Sequence, residues 1–286
     1  MSAHKLIKFT QALYSQPHLI SQAGFNAVSH YLALRNKSSL MVFEDAETPD
    51  EVPDDIDDFD PVMGVGVIKV EGALTYKPVQ GMCQAVGCSY ESILEDAEEM
   101  IEAGVKIIIL NLDSGGGEGY GCFETANELR KMCDEAGVQI FAYNDGCCAS
   151  ACLALAVCAD EVISNPYAET GSLGVLIALL NDSKALEMDG YERSFVFAGD
   201  SKIPWAADGT WRAEFLQDLQ SKVDTLYTSF VDHVSKYTGI DAETLRGTEA
   251  KMFSATDALN LGLINSIMTR SEFVDYIVNK QGAQDA

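Results

Sequence analysis

The chain has 286 residues, 47% of them hydrophobic, enough for one large α/β core. A formal net charge of -25 and a pI near 4.3 argue against a protein that grips nucleic-acid backbones. The eight cysteines show no clear disulfide or zinc spacing and read as reduced, mostly buried residues.

A metal site at Cys147, Cys148, Cys152 and Cys158, with no histidine near them, is the minority reading. Met1 to Thr10 has no long apolar core and no small-residue cleavage site, so no signal peptide is expected. No run of about 18 apolar residues predicts a membrane span.

Residues 1–42 read as a helical segment, with Leu6, Ile7, Phe9 and Leu13, then Ala27, Val28, Tyr31 and Leu32, at helical spacing. Residues 43–60 are rich in acids, carry two prolines, and read as a flexible acidic linker. A solvated tether is the plain reading of that linker, and a docking segment for a basic partner the sharper one. Residues 61–286 form the main domain. Val62–Val70 predicts a first strand, 72–90 a loop or hairpin, and 91–103 a helix.

An internal echo follows. Glu102-Ala-Gly-Val-Lys-Ile107 returns as Glu135-Ala-Gly-Val-Gln-Ile140. Each predicts a helix that stops at glycine and a strand that begins after it, over Val105–Leu112 and Val138–Tyr143. The helix between them carries Phe123, Ala126, Leu129 and Cys133 on one face. This is a β-α-β unit, whose strands are expected parallel and whose crossover is expected right-handed. The first strand runs out into the loop Asn111–Gly119, and the second into the turn that carries Ser150. Parallel neighbours open both on one sheet edge, where α/β proteins place their sites.

Tyr143-Asn-Asp-Gly-Cys-Cys-Ala-Ser150-Ala-Cys-Leu-Ala-Leu-Ala156 reads as a strand end, a tight turn, a serine among small residues and an apolar helix. There Ser150 meets the positive end of a helix dipole, a setting that suits an activated nucleophile. Backbone N–H groups of the run Gly115–Gly117, unshielded by Cβ, suit an oxyanion hole. Further on, strands are predicted over Glu161–Ser164 and Ser194–Ala198, with a helix near Asp182–Met188. Trp211, Phe215, Leu219, Val223, Leu226, Phe230 and Val234 mark a long amphipathic helix. A turn, a short helix and a last strand fill 247–264, and a closing helix starts near 271.

A serine nucleophile needs a base. Of the four histidines, His4, His18 and His30 precede the acidic linker, and His233 flanks the long helix. Lysine is the known substitute, provided that its pKa of about 10.4 is brought toward neutrality. Lys202 is best placed, at a strand end beside Gly199 and followed by the water-excluding Pro204 and Trp205. A solvated loop lysine is the plainer reading. Lys184 and Lys251 read as a helix start and a strand edge.

Together these residues resemble the signal peptide peptidase A family of serine peptidases, in the Clp protease/crotonase superfamily, and within it the capsid (prohead) maturation proteases of tailed phages. The resemblance covers about residues 62–268. It rests on Asp113-Ser-Gly-Gly-Gly117, Cys148-Ala-Ser150-Ala, Thr170-Gly-Ser-Leu-Gly-Val175, Gly199-Asp-Ser-Lys202 and Phe253-Ser-Ala-Thr-Asp-Ala-Leu-Asn-Leu-Gly-Leu-Ile264, in the family's order. Gln16-Pro-His-Leu-Ile20 is similar to a lead segment of the phage branch. Two departures stand out: Gly115 replaces proline, which would loosen the loop, and Cys147 and Cys148 precede the serine where small residues are usual.

The resemblance implies a Clp protease/crotonase-like α/β fold of repeated β-β-α units with a parallel sheet, plus a helical N-terminal segment. It implies a serine endopeptidase in which Lys202 is the base for Ser150 and the N–H groups around Gly116 and Gly117 hold the oxyanion. No cofactor or metal is implied. The expected partners are scaffold and capsid proteins and further copies of the chain in a ring that shares its sites, with no nucleic acid and no membrane. The membrane anchor usual in the family is not expected here, and a separate scaffold protein is. The setting would be the host cytoplasm and the procapsid. Alternatives are a cellular-type signal-peptide or protein-degrading peptidase, a crotonase-type acyl-CoA enzyme, and an inactive shell component.

Overall fold

The computed structural model describes residues 17–26, 29, 64–78, 88–206 and 208–284. The acidic stretch 43–60 and the helices expected around Leu6–Leu13 and Ala27–Leu32 lie outside the described residues. Within these limits the chain is a mixed α/β protein built on an eight-stranded sheet.

Its elements are β1 (His18–Ile20), β2 (Val65–Leu74), α1 (Tyr90–Glu102), β3 (Ile107–Glu118), α2 (Cys122–Ala136), β4 (Gln139–Ala149), α3 (Ala151–Ala156), β5 (Glu161–Ser164), β6 (Glu169–Gly171), α4 (Ser183–Met188), α5 (Ala213–Thr238), α6 (Ala242–Arg246), β7 (Met252–Ser254), α7 (Ala255–Leu261), β8 (Ser266–Ile267) and α8 (Arg270–Gln284). β2, β3, β4, β5 and β8 pair in parallel, β6 joins the upper end of β4 in parallel, and β1–β3 and β6–β7 are antiparallel.

The echoed Glu-Ala-Gly-Val motif does what its chemistry requires. Gly104 and Gly137 close α1 and α2 at φ +84° and +68°, a conformation in which a Cβ is strained. The next N–H reaches back five residues each time, Val105 to Met100 O and Val138 to Cys133 O, so the chain leaves each helix into a strand.

The period-2 alternation then sorts the strands between two cores. Ile108, Leu110 and Leu112 of β3 and Ile140 and Ala142 of β4 join α1, α2, α3 and the end of α5 on one face. Ile107, Phe141, Tyr143 and Ile163 meet Phe273 and Ile277 of α8 on the other. Each buried aliphatic side chain of this kind contributes about 1.5–3 kcal/mol.

Three expectations are corrected. His18–Ile20, within the stretch read as helical and outside the main domain, is a strand of the main sheet; residues 22–26 after it are helical. Gly115–Gly117 do not form an open loop, because β3 continues through them and Gly116 and Gly117 have ladder partners on both edges. Ser194–Ala198 forms no strand: Phe195, Val196 and Phe197 are exposed and find no strand beside them.

Candidate active site

β4 runs straight to Ala149, and its last residues Cys147–Ala149 pair with Glu169–Gly171 of β6. Buried Asn144 helps hold β6 there, its Nδ2 donating to Glu169 O and Thr170 Oγ1 at 3.0 Å each. Ser150 follows as the hinge between strand and helix. Its N–H donates to Gly171 O at 2.9 Å, and its carbonyl accepts from Ala154 N–H to start α3. The backbone at Ser150 stands at φ 58°, ψ -116°, sterically costly for a residue with a Cβ.

The other non-glycine residues with positive φ among those described are Ser172, Glu249 and Ala250, and they surround the same turn. Ser172 N–H donates to Lys251 O at 2.9 Å. A Cβ on Gly174 would stand 2.8 Å from that of Ala250. Gly174 O in turn takes the Ser150 hydroxyl at 3.5 Å. Such strain persists only where its surroundings over-determine it, and it clusters at functional sites.

The glycine run lies against this serine. A Cβ on Gly116, which has φ +95°, would stand 2.9 Å from Ser150 Cβ and 3.0 Å from Ala149 O, and would collide with Leu19 O. On Gly117 it would enter the Leu74 backbone. Gly116 N–H donates to Ser114 Oγ at 3.1 Å, and that hydroxyl donates to Gly72 O. Gly115 is not loose despite lacking the ring of a proline: its carbonyl accepts from Ser21 N–H at 2.7 Å.

Ser150 is fully buried. Burial pushes the neighbouring Cys147 thiol up to about 12. A hydrogen bond from Cys148, with burial, raises Cys152 well above its ordinary value. At Cys147 and Cys152 the thiolate, the reactive form of a cysteine, is thereby disfavoured.

The structure brings Ser150, Gly116 and Gly117 together and leaves Lys202 apart from them. Lys202 is exposed, on a 3-10 turn over Asp200–Lys202, and among the described residues it makes no hydrogen bond to Ser150. Lys184 and Lys251 are also exposed, although the Lys251 carbonyl braces Ser172. His233 is buried against the back of α3, 2.9 Å from Ala154 O, as a packing residue.

What the sequence reading missed is β1. Pro17 disfavours helix before it and His-Leu-Ile is strand-compatible, a signal that the helical spacing farther along obscured.

Comparison with known proteins now bears on this site. The pattern of Peptidase family S49 matches residues 133–283, more than half of the chain. The chain belongs to peptidase family S49. It is 26% identical over 215 residues to the head-tail preconnector protein GP5 of Enterobacteria phage P21, covering 74% of this chain and 42% of that one. It is 27% identical over 216 residues to the capsid assembly protease C of Escherichia phage lambda, covering 74% and 48%. The chain thus spans less than half the length of either relative. Membership of a peptidase family directs attention to Ser150. Among the described residues, no helix is long and apolar enough to cross a membrane.

Proposed function

We infer that the chain is a serine endopeptidase whose nucleophile is Ser150 and whose base is Lys202 of a neighbouring copy. The observation that carries this reading is Ser150 itself, held at positive φ between β4 and α3 with Gly116 against it. A serine on a strained strand-to-helix turn is the arrangement that exposes a hydroxyl to a substrate carbonyl.

Neutral Lys202 Nζ takes the hydroxyl proton as Oγ attacks the carbonyl carbon of a peptide. The oxygen that becomes negative is held by backbone N–H groups of the glycine run, Gly117 first once β1, paired opposite it, has left, because Gly116 N–H serves Ser114. The N–H of Ala151, directly after the nucleophile, is the second donor. The ammonium returns its proton to the leaving amine, and water then releases the acyl group from Ser150.

An amine works as base once burial disfavours its ammonium form. Lys202 is exposed in the isolated chain, on an arm that also presents Tyr191, Phe195, Val196 and Phe197 to solvent. Docking of that arm on a second subunit would bury the lysine and complete the site. The names of the phage relatives support scaffold and capsid proteins of an assembling phage head as the substrates.

Mixing Ser150→Ala protein with Lys202→Ala protein tests the shared site. Each alone should be inactive on casein or a scaffold protein, and the mixture should recover activity. Full activity of Lys202→Ala would remove the base assignment.

A further inference from the structure

β4 leaves β3 at the pair Ser114–Cys148 and turns into Ser150. β2 keeps one edge of β3 from Ile107 to Gly117, with a register shift opposite Ser114 and Gly115. The other edge, vacated by β4, is taken by β1, with Ile20 opposite Gly116, Leu19 opposite Gly117 and His18 opposite Glu118. β1 is bonded on its far edge too: His18 N–H donates to Leu176 O at 2.8 Å and Leu176 N–H to His18 O at 3.0 Å. A three-residue strand therefore bridges the gap directly above the serine.

Its backbone bonds extend beyond the three paired residues. Ser21 N–H donates to Gly115 O at 2.7 Å and Gly119 N–H to Pro17 O at 3.3 Å. In an antiparallel ladder hydrogen-bonded and non-bonded pairs alternate, so Leu19–Gly117 falls on a bonding position. Leu19 O abuts Gly116 at the spot that Ser150 Cβ also approaches. The Leu19 side chain is fully buried in the main core, its Cγ 3.5 Å from the place of a Gly119 Cβ, which Leu226 of α5 also faces at 2.8 Å. A nucleophile meant for other proteins is thus covered by its own chain.

We propose that the groove between Gly115–Gly119 and Leu176 is the channel for an extended substrate peptide with an aliphatic side chain in the Leu19 pocket, and that residues 17–21 fill it as a pseudo-substrate that must leave before a protein is cut. Main-chain pairing on both edges supplies the affinity and the pocket the selectivity, as in recognition by strand addition. The inference rests on Ser150 as nucleophile only for its consequence on activity. The occupancy itself is tested separately.

The test uses the full chain with Ser150→Ala, so that nothing is turned over, alone and with His18→Pro and Ser21→Pro together. Each proline deletes one N–H that anchors β1, to Leu176 O or to Gly115 O, and leaves Ser150 and the N–H groups of Gly116 and Gly117 unaltered. The probe is a fluorescein-labelled synthetic peptide of residues 14–24, followed by anisotropy. The double-proline chain should bind it at least about tenfold more tightly than the parent, since the cis competitor is weakened. Amides of Gly117, Gly119 and Leu176 should be protected from hydrogen exchange in that complex.

A folded double-proline chain that binds the peptide no better overturns the proposal. Should that chain not fold, Leu19→Ala, which leaves the backbone intact and empties the pocket, carries the same test. With Ser150 restored, the freed chain should cut casein about tenfold faster than the unaltered one. Tighter peptide binding with no casein cleavage by either chain would leave the groove standing and refute the peptidase reading instead.

Discussion

The surroundings of Ser150 and the arm from Leu176 to Arg212 are built on opposite plans. Around the serine strand is tied to strand: β4 to β6, β6 to β7, β3 to β1 and β2. The arm has one short helix with no buried residue and a 3-10 turn, and it packs on itself. Phe195, Trp205, Trp211 and Phe215 stack in series with ring centroids 5.1 to 5.6 Å apart. Arg193 lies over Trp205 and pairs with Asp182 at 2.6 Å. One region is finished within the chain, whereas the other offers exposed aromatic surface to something outside it. If the proposed site is divided between these two regions, folding fixes its serine and assembly its lysine.

Ser150→Ala breaks the finished half and should have the largest effect, a loss of protein cleavage of about 10⁴-fold or more with the thermal transition little changed. Ser150→Gly should be as inactive yet more stable, by about 1 kcal/mol, because relief of the positive-φ strain exceeds the added freedom of the unfolded chain. Casein turnover and calorimetry on the same preparations check both, and a cleaving Ser150→Ala protein would sink the nucleophile assignment.

Lys202→Met breaks the other half. It should lower cleavage by about 10³-fold and leave the melting temperature of the isolated chain unmoved, since the side chain is exposed. An unfolding shift comparable to that of a core change would mean that the lysine belongs to the folded chain rather than to its assembly.

Glycine substitutions sharpen the contrast. A Cβ on Gly117 enters the Leu74 backbone, so Gly117→Ala should destabilise by about 3 kcal/mol. Gly199 on the arm, at φ +90° and ψ 118°, has nothing within 4 Å of a Cβ, so Gly199→Ala should cost backbone strain alone, about 2 kcal/mol. Urea titrations of the two proteins give the difference directly. Equal losses would show the arm to be as tightly packed as the sheet.

Much of the finished region was legible in the sequence, because it is governed by local rules. Helix-stopping glycines at 104 and 137, period-2 apolar strands and a serine before a small apolar helix each dictate their own geometry. What escaped depends on contacts that no short window contains. Gly115–Gly117 resemble a loop in isolation, and only β1 and β2 on either edge make them a strand. His18–Ile20 lies some forty residues before the next strand, β2, so its place in the sheet is a matter of tertiary pairing. Ser194–Ala198 has the composition of a strand, yet no partner edge comes to it. On the reading proposed above, the meeting of Lys202 with Ser150 depends on more than one chain, so neither the sequence nor a single subunit would bring the two together.

The smallest expected effect separates the two regions by pH. His233 lies on the finished side, between Phe123 and Tyr237. Burial holds its pKa below the usual value and Lys236 adds to this, while the bond to Ala154 O and the charge of Glu124 work against them. The unfolded chain therefore takes up this proton first, below about pH 6.5. The contribution of neutral His233 to stability is complete above that value and is lost as the pH falls through the window toward its lower folded value. The melting temperature of the unaltered chain should decline over that window, and His233→Gln should flatten this part of the decline without altering the profile at higher pH. Calorimetry between pH 8 and pH 5.5 decides it. An unchanged slope in the variant would mean that acid sensitivity arises elsewhere, and the back of α3 would lose its claim to be the more pH-dependent half.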